Sequence, residues 1–134
     1  MKATDKVGGS LLLSMLLGLL GFLWSMTPVM AQDPVKLRPD TFSVKLENES
    51  VRVLKWTLKP GDKEPMHTHP EMVVYMLKGG KLRGYGPDGK ALREREVKAG
   101  DTYWWAPQRH MTENIGKTEV QAIIVEYKTN PYKE

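Results

Sequence analysis

The sequence contains no cysteine, which excludes disulfide bonds and a thiol nucleophile. A folded domain built from this chain must therefore be held together by its apolar core alone or by that core together with a metal ion or a subunit interface. The chain also lacks any cluster of five or more Lys and Arg, and its net charge is only +4, so a nucleic-acid partner is not expected. Neither a Gly-x-Ser-x-Gly elbow nor a glycine-rich phosphate loop is present, which disfavours hydrolase and nucleotide-binding chemistry.

Histidine is scarce, and its three positions are informative. His67 and His69 are one residue apart, so in an extended strand both imidazoles point to the same face. Together with His110 they offer three neutral nitrogen ligands, a set that suits Fe, Mn, Zn, Ni or Cu and leaves coordination positions open. The plainer alternatives are a solvated histidine pair in a polar loop and a hydrogen-bonded core histidine at position 110.

The N-terminal residues have the pattern of a secretory signal. Lys2 and Lys6 form a basic start, residues 11–23 are almost wholly apolar, and Val29-Met30-Ala31 supplies small residues for cleavage. We therefore predict a signal peptide over 1–31, forming a hydrophobic helix, and an exported protein that is periplasmic or secreted. The alternative is an uncleaved anchor, since no charged residue lies between Lys6 and Asp33. Membrane contact is expected only through this segment.

The remainder of the chain predicts a single all-β domain. Residues 32–41 carry two prolines and are interpreted as a linker, 42–128 as the domain, and 129–134 as a C-terminal tail. Turn residues recur every 8–12 positions, and no convincing amphipathic helix is present. This spacing is typical of an antiparallel β-sandwich or β-barrel.

The predicted strands are short and mostly alternate apolar with polar residues. They comprise 42–46, 51–58, 72–77, 81–85, 92–97, 102–105, the stretch around His110, and 120–127. The run 72–77 is continuously apolar and predicts a strand buried on both faces, whereas the charged run 92–97 predicts an edge strand.

Two glycine- and histidine-containing motifs resemble those of the cupin superfamily, specifically its small single-domain members. In the first, five residues separate Gly61 from His67, His69 follows, and Gly79 closes the motif. In the second, the order is Gly100, Pro107, His110 and Asn114, with the His-x3-Asn spacing intact. The resemblance covers nearly all of the chain after residue 41. It implies a jelly-roll β-barrel or sandwich with a divalent transition metal in its mouth.

The resemblance also implies a fourth ligand, a glutamate from the first motif, but here the motif is one residue short. Met72 occupies the acidic position and Glu71 is its neighbour. On a regular strand running on from His67, Glu71 faces the histidines and is the candidate fourth metal ligand with His67, His69 and His110. A change of register at Pro70 would instead turn Met72 inward, where it either fills space or, as a thioether ligand, favours copper. Asn114 is expected to orient the backbone or a ligand rather than to bind metal.

Several other residues have two readings. One of Trp104 and Trp105 must face away from the other, so one could line the cavity and the other pack elsewhere or contact a dimer partner. The arginines at 83, 93 and 95 could attract an anionic ligand or could protect a sheet edge.

The resemblance implies oxygenase, isomerase or related small-molecule chemistry if the protein is an enzyme. The rival reading is a non-catalytic module that binds a small molecule or a metal, and a third is a purely structural or interaction domain without metal. A small-molecule ligand is the expected partner in the first two. Pairing of the strand 42–46 across a homodimer is expected only by analogy.

Overall fold

A computed structural model describes residues 32–134, and these fold into nine strands and one short helix. The predicted signal peptide and its helix, residues 1–31, lie outside the described residues. In chain order the elements are α1 (Pro34–Leu37), β1 (Phe42–Glu47), β2 (Val51–Leu58), β3 (His67–His69), β4 (Met72–Lys78), β5 (Gly80–Tyr85), β6 (Ala91–Val97), β7 (Thr102–Trp105), β8 (Gln108–Asn114) and β9 (Val120–Tyr127). Within 32–134, no helix has the length and apolar character needed to cross a membrane.

The strands form two antiparallel sheets, which confirms the all-β prediction. One sheet has five strands in the order β1-β2-β9-β4-β7, and the other has four in the order β3-β8-β5-β6. Strands that are neighbours in sequence thus often lie in different sheets. Two facing sheets of this kind make a β-sandwich.

The core lies between the sheets because the strands alternate in burial. On β9, Val120, Ala122 and Ile124 are buried, and on β2, Leu54, Trp56 and Leu58 are buried. Every second side chain of a strand points to the same face, so these residues share one apolar interior.

Strand β4 is not buried on both faces, contrary to the prediction from its apolar run. Met72, Val74 and Met76 point into the core, but Tyr75 and Leu77 are 47% and 40% exposed on the other side. The strand is central in its sheet, between β9 and β7, yet only one face of that sheet is covered. The continuous apolar run of β4 therefore led to a prediction of more burial than the strand has.

The segment 32–41, interpreted from its prolines as a linker, contains helix α1. Asp33 caps this helix by accepting a hydrogen bond from the Val35 backbone N–H, and Pro34 at its first position is buried. Proline is favoured at the first position of a helix because its missing N–H would have had no partner there. The Gln32 carbonyl also accepts a hydrogen bond from the Thr68 N–H at 3.0 Å, so the segment is attached to β3.

Two of the motif glycines have clear backbone roles. Gly100 adopts φ +89°, a left-handed conformation that side chains disfavour, in the turn before β7. Gly79 allows a close approach, because a Cβ built there would lie 2.2 Å from the Val97 carbonyl oxygen. Both glycines shape the turns around the sheets rather than the site itself.

Asn114 joins the end of β2 to the loop between β8 and β9 and forms no hydrogen bond with the histidines among residues 32–134. Its amide donates hydrogen bonds to the carbonyl oxygens of Leu58 and Thr118 at 2.9 and 2.8 Å, and its side-chain oxygen accepts one from the Gly116 N–H. The residue is fully buried. Its predicted role in orienting backbone is confirmed.

We expect Asn114→Ala to lower the free energy of unfolding by about 3 kcal/mol, because buried backbone groups lose their partners. Urea denaturation would measure this loss. Asn130→Ala, an exposed asparagine, serves as the control and should change stability by no more than about 0.5 kcal/mol. Equal stabilities of the two variants would contradict the assigned role.

Candidate metal centre

The three histidines are brought together by the pairing of β3 with β8. His67 lies directly opposite His110 in the antiparallel register, and His69 lies opposite Gln108. Because His67 and His69 are two residues apart on β3, their rings share a face. The ring centroids are 4.8 Å apart for His67 and His69, 4.8 Å for His67 and His110, and 5.4 Å for His69 and His110. One nitrogen from each ring lies within 4.8 Å of the other two.

The hydrogen bonds of His67 and His69 define which nitrogen is free. His67 Nδ1 lies 2.9 Å from the Pro65 carbonyl oxygen, and His69 Nδ1 lies 2.5 Å from Glu126 Oε1. A carbonyl and a carboxylate only accept, so both Nδ1 atoms are donors and both Nε2 atoms point away from these partners. These two Nε2 atoms are 3.0 Å apart. Two imidazole nitrogens at that distance need an electrophile between them, either a shared proton or a metal cation.

His110 supplies the third free nitrogen. Its Nε2 is buried and has no hydrogen-bond partner among the residues that the structure describes. Burial, followed by the neighbouring His69 and His67, holds its pKa well below the ordinary value. Burial and His69 likewise lower the pKa of His67 to about 4. Both rings are therefore neutral at pH 7, the form that binds a metal ion.

The spacing of the His67 and His69 nitrogens fits two ligands of one transition metal. Metal–imidazole bonds of about 2.0–2.1 Å hold adjacent ligand nitrogens roughly 2.8–3.4 Å apart for right-angle to tetrahedral arrangements. The 3.0 Å separation of the His67 and His69 Nε2 atoms falls in that range. The Nε2 atom of His110 is buried without a hydrogen-bond partner, and a bound metal ion would supply one.

Behind His69 lies a partly buried series of ion pairs that the sequence did not predict. Glu126 on β9 accepts hydrogen bonds from His69 through Oε1 and from Arg52 Nε through Oε2, the latter at 2.6 Å. Arg52 Nη1 donates to both carboxylate oxygens of Asp33 at 3.1 Å. Burial acts to raise the pKa of Glu126, but the bonds from His69 and Arg52 outweigh it and keep that pKa below its usual value. Such a carboxylate fixes the imidazole orientation and makes it a better ligand.

One signal in the sequence could have identified Glu126. On β9 the inward positions are Val120, Ala122, Ile124 and then Glu126, so a charged residue occupies an apolar register. Charged residues are rarely buried unless they are paired, and this position therefore calls for a specific partner.

A second buried carboxylate, Glu64, lies beside the cluster in the segment before β3. It accepts hydrogen bonds from Trp56 Nε1 at 2.5 Å and from the Thr112 N–H at 3.1 Å. Its Oε2 is 3.9 Å from His67 Nε2, and burial raises its pKa to about 7. The sequence analysis passed over Glu64 because it lies in a turn-rich stretch without a strand pattern. It places one carboxyl group in the wall of the cavity, next to the histidines.

Glu71, the candidate fourth ligand, does not join the histidines, which corrects the expectation of a regular strand beyond His69. Strand β3 ends at His69, and β4 starts at Met72 in the other sheet, so the chain changes sheets at Pro70. The Glu71 carboxylate instead accepts hydrogen bonds from Trp104 Nε1 at 2.8 Å and Asn130 Nδ2 at 2.9 Å. Met72 points inward and is 2% exposed, as in the register-shift alternative.

A cavity of about 190 Å³ adjoins the cluster. All three histidines and Glu64 contribute to its wall. Trp105 lines it, whereas Trp104 is 61% exposed on the other face, as strand alternation requires. The remaining wall is largely apolar and aromatic, including Phe42, Met72, Val74, Met76, Leu82, Tyr103 and Ile124. Such a pocket, apolar with a few convergent polar groups, is typical of a small-molecule site.

Comparison with known proteins supports this architecture. No protein family model matches the chain, and no curated protein matches it. Among solved structures, a cupin domain from Bordetella pertussis Tohama I is 27% identical, with a TM-score of 0.59 over 65% of this chain and 91% of that one. A protein with a double-stranded β-helix domain from Klebsiella pneumoniae is 26% identical, with a TM-score of 0.55 over 68% and 78% of the chains. An RmlC-like cupin family protein from Methanocaldococcus jannaschii shares the fold at 19% identity, with a TM-score of 0.51 over 65% and 80%.

Glu126→Gln is expected to weaken the binding of Zn²⁺ or Co²⁺ by about 10–100-fold, because His69 loses its charged partner. Glu71→Gln makes the same chemical change outside the cluster and should leave the affinity within about twofold of the parent protein. Competition with a chelator of known affinity measures both. A larger loss in Glu71→Gln than in Glu126→Gln would restore Glu71 as the carboxylate that serves the site.

Proposed function

This chain belongs to the cupin superfamily, and from that premise we propose that it is an exported protein that holds one divalent transition-metal ion and binds a small organic molecule beside it. The ligands of the metal are His67, His69 and His110. The observation that carries this proposal is the 3.0 Å approach of two Nε2 atoms, with a third nitrogen that has no hydrogen-bond partner close by.

The residues around the three histidines orient the imidazole rings and shield them from water. Pro65 and Glu126 hold the rings of His67 and His69 through their Nδ1 atoms, so the free nitrogens face one point. Phe42 packs edge-on against the His67 ring at 5.4 Å between centroids and keeps water from that side. A bound metal would act as a Lewis acid toward an oxygen of the ligand. Fe, Mn, Zn, Ni and Cu all accept a three-imidazole set.

Glu64 is the group placed to handle a proton during turnover. Its carboxyl lies in the cavity wall, and its orientation is fixed by Trp56 and Thr112. A fixed carboxyl beside a small-molecule site suits the oxygenase or isomerase chemistry that the superfamily resemblance suggests.

The second candidate function is a non-catalytic metal- or small-molecule-binding module. Met72 favours it, because this thioether stands where the superfamily motif places an acidic ligand, and Glu71 bonds elsewhere. Assays of the metal-loaded protein with thiol, enediol and flavonoid-like substrates under oxygen separate the two functions. Turnover that disappears in Glu64→Gln supports the enzyme, and saturable binding without turnover supports the module.

Export is supported by residues 1–31, whose basic start, apolar stretch and Val29-Met30-Ala31 follow the pattern of a cleaved signal. We expect fractionation of cells that express the full chain to place a shortened protein beginning at Gln32 outside the cytoplasm. A full-length protein in the cytoplasmic fraction would contradict export.

Elemental analysis of the protein from its native compartment is expected to find about one transition-metal ion per chain. His67→Ala and His110→Ala should abolish this content, because each removes one of three nitrogens. At a metal concentration 100 times the Kd, binding stabilises the parent protein by about 2.7 kcal/mol. A thermal melt with and without EDTA should therefore show a shift of about 10 °C or more that both variants lack.

Lys90→Ala, in the exposed turn before β6, is the control and should keep both the metal and the thermal shift. If the histidine variants retained the metal content and the EDTA-sensitive shift, the three-histidine site would be refuted. A metal-free, EDTA-insensitive parent protein would instead favour a structural or interaction domain.

A further inference from the structure

We propose that the cavity takes a small organic acid, with its carboxylate bound at Arg95 and Arg93 and its apolar part against the cavity wall. This inference names the ligand class of the same cavity and rests on the proposed function for the metal beside it. The arginines lie on the edge strand β6, which forms part of the cavity wall.

Strand alternation aims both arginines at the cavity. On β6, Arg93, Arg95 and Val97 share one face, and Val97 is buried in the core at 3% exposure. Arg95 pairs in register with Leu82, another residue of the cavity wall. The two arginines are exposed to solvent and line the open end of an apolar pocket.

Both arginines are uncompensated within residues 32–134, where neither forms an ion pair with a carboxylate. Arg83 on the neighbouring strand shows the contrast, since it binds Glu94 at 2.5 Å and lies 3.8 Å from Glu113. The acidic side chains of β6 alternate with the arginines and point to the opposite face. Two unpaired cations facing a cavity attract an anion.

Arg95 is also oriented for binding. Its guanidinium centre lies 4.8 Å from the Trp105 ring centroid and 5.5 Å from that of Tyr103. Stacking on aromatic rings positions a guanidinium while its N–H groups stay free to bind a carboxylate through two parallel hydrogen bonds. The one carboxyl of the cavity wall, Glu64, already accepts bonds from Trp56 and Thr112.

The size and lining of the cavity specify the rest of the ligand. Its volume of about 190 Å³ is below the roughly 300–1,000 Å³ of sites for drug-sized molecules. Another part of the cavity wall is apolar and includes Met76, Val74 and Ile124. A compact acid with one apolar or aromatic group matches this combination, and inorganic phosphate, which has no apolar part, does not.

The competing explanation is that inward-pointing charges on β6 prevent edge-to-edge association of sheets. That role needs only the charges and predicts no ligand. It also predicts that removal of an arginine promotes self-association without changing the occupancy of the cavity.

Benzoate and its neutral isostere benzamide are the probes, titrated into the metal-loaded protein and followed by calorimetry and tryptophan fluorescence. We expect benzoate to bind at least about tenfold more tightly than benzamide, because only the acid gains charge-assisted hydrogen bonds. Arg95→Gln should weaken benzoate about tenfold and leave benzamide within about twofold. Arg83→Gln, the same change on a paired, outward-facing arginine, should alter neither.

Arg95→Lys and Arg93→Gln supply independent variants if Arg95→Gln folds poorly, and both should weaken benzoate selectively. Equal affinities for benzoate and benzamide would overturn the inference. So would tight benzoate binding that survives Arg95→Gln and Arg93→Gln, because the acid would then be held by the metal alone. Self-association of the variants with unchanged benzoate affinity would establish edge protection instead.

The failure of this inference can be told apart from the failure of the proposed function. Metal analysis of the same samples reports on His67, His69 and His110 and does not depend on the acid. A protein that binds metal but shows no arginine-dependent preference refutes only the ligand class. A protein without metal that still prefers benzoate through Arg95 refutes the metal proposal and keeps the anion site.

Discussion

The hydrogen bond between His69 and Glu126 joins the two sheets of this protein at the point where its chemistry lies. His69 belongs to the four-stranded sheet and Glu126 to the five-stranded one. Arg52 neutralises the carboxylate from β2, and Asp33 balances Arg52 from the segment before β1. Loss of Arg52 would leave the buried carboxylate of Glu126 without its cation, which costs about 3–5 kcal/mol. The interaction therefore fixes the ring of a proposed metal ligand and also joins the two sheets of the sandwich.

This chain also shows how acidic groups around a conserved type of site can be redistributed. The position that the superfamily resemblance assigns to an acidic ligand holds Met72, whose side chain joins the apolar wall. Carboxylates reach the neighbourhood by other routes, Glu64 from the segment before β3 and Glu126 from β9. Glu64 lies next to His67, and Glu126 acts through His69. The carboxylate nearest the His67 Nε2 atom is thus Glu64, which comes from a different part of the chain than the motif implies.

The parts of the structure that depend on local pattern were predictable from the sequence. Alternation and turn residues located the strands, and the spacing of Gly100, His110 and Asn114 brought the third histidine to the first two. Predictions failed where a partner far along the chain decides the outcome. Glu71 was placed on the histidine side because nothing local reveals that the chain changes sheets at Pro70. Glu126 and Arg52 are 74 residues apart, and the local sequence around each residue does not reveal that the two will pair.

Helix α1 and the cavity arginines are two further features that distant parts of the chain determine. The two prolines of 32–41 favour a linker, but Asp33 caps α1 locally and forms its ion pair with Arg52 only once β2 is in place. The sequence alone does not decide whether the arginines of β6 bind an anion or protect a sheet edge. The answer depends on whether they form ion pairs, and this depends on which face of the strand each residue occupies. Sheet register decides that, and register follows from the packing of the whole domain.

The sequence distances within the cluster set the order in which the protein can mature. His67 and His69 lie at the middle of the chain and offer only two nitrogens, whereas His110 and Glu126 lie nearer its end. Closing such long loops is slow and occurs late in folding. A partly folded chain without β8 therefore has only two of the three candidate ligands. For the proposed metal site, strong binding of an ion would coincide with the addition of β8 and β9 to the sandwich.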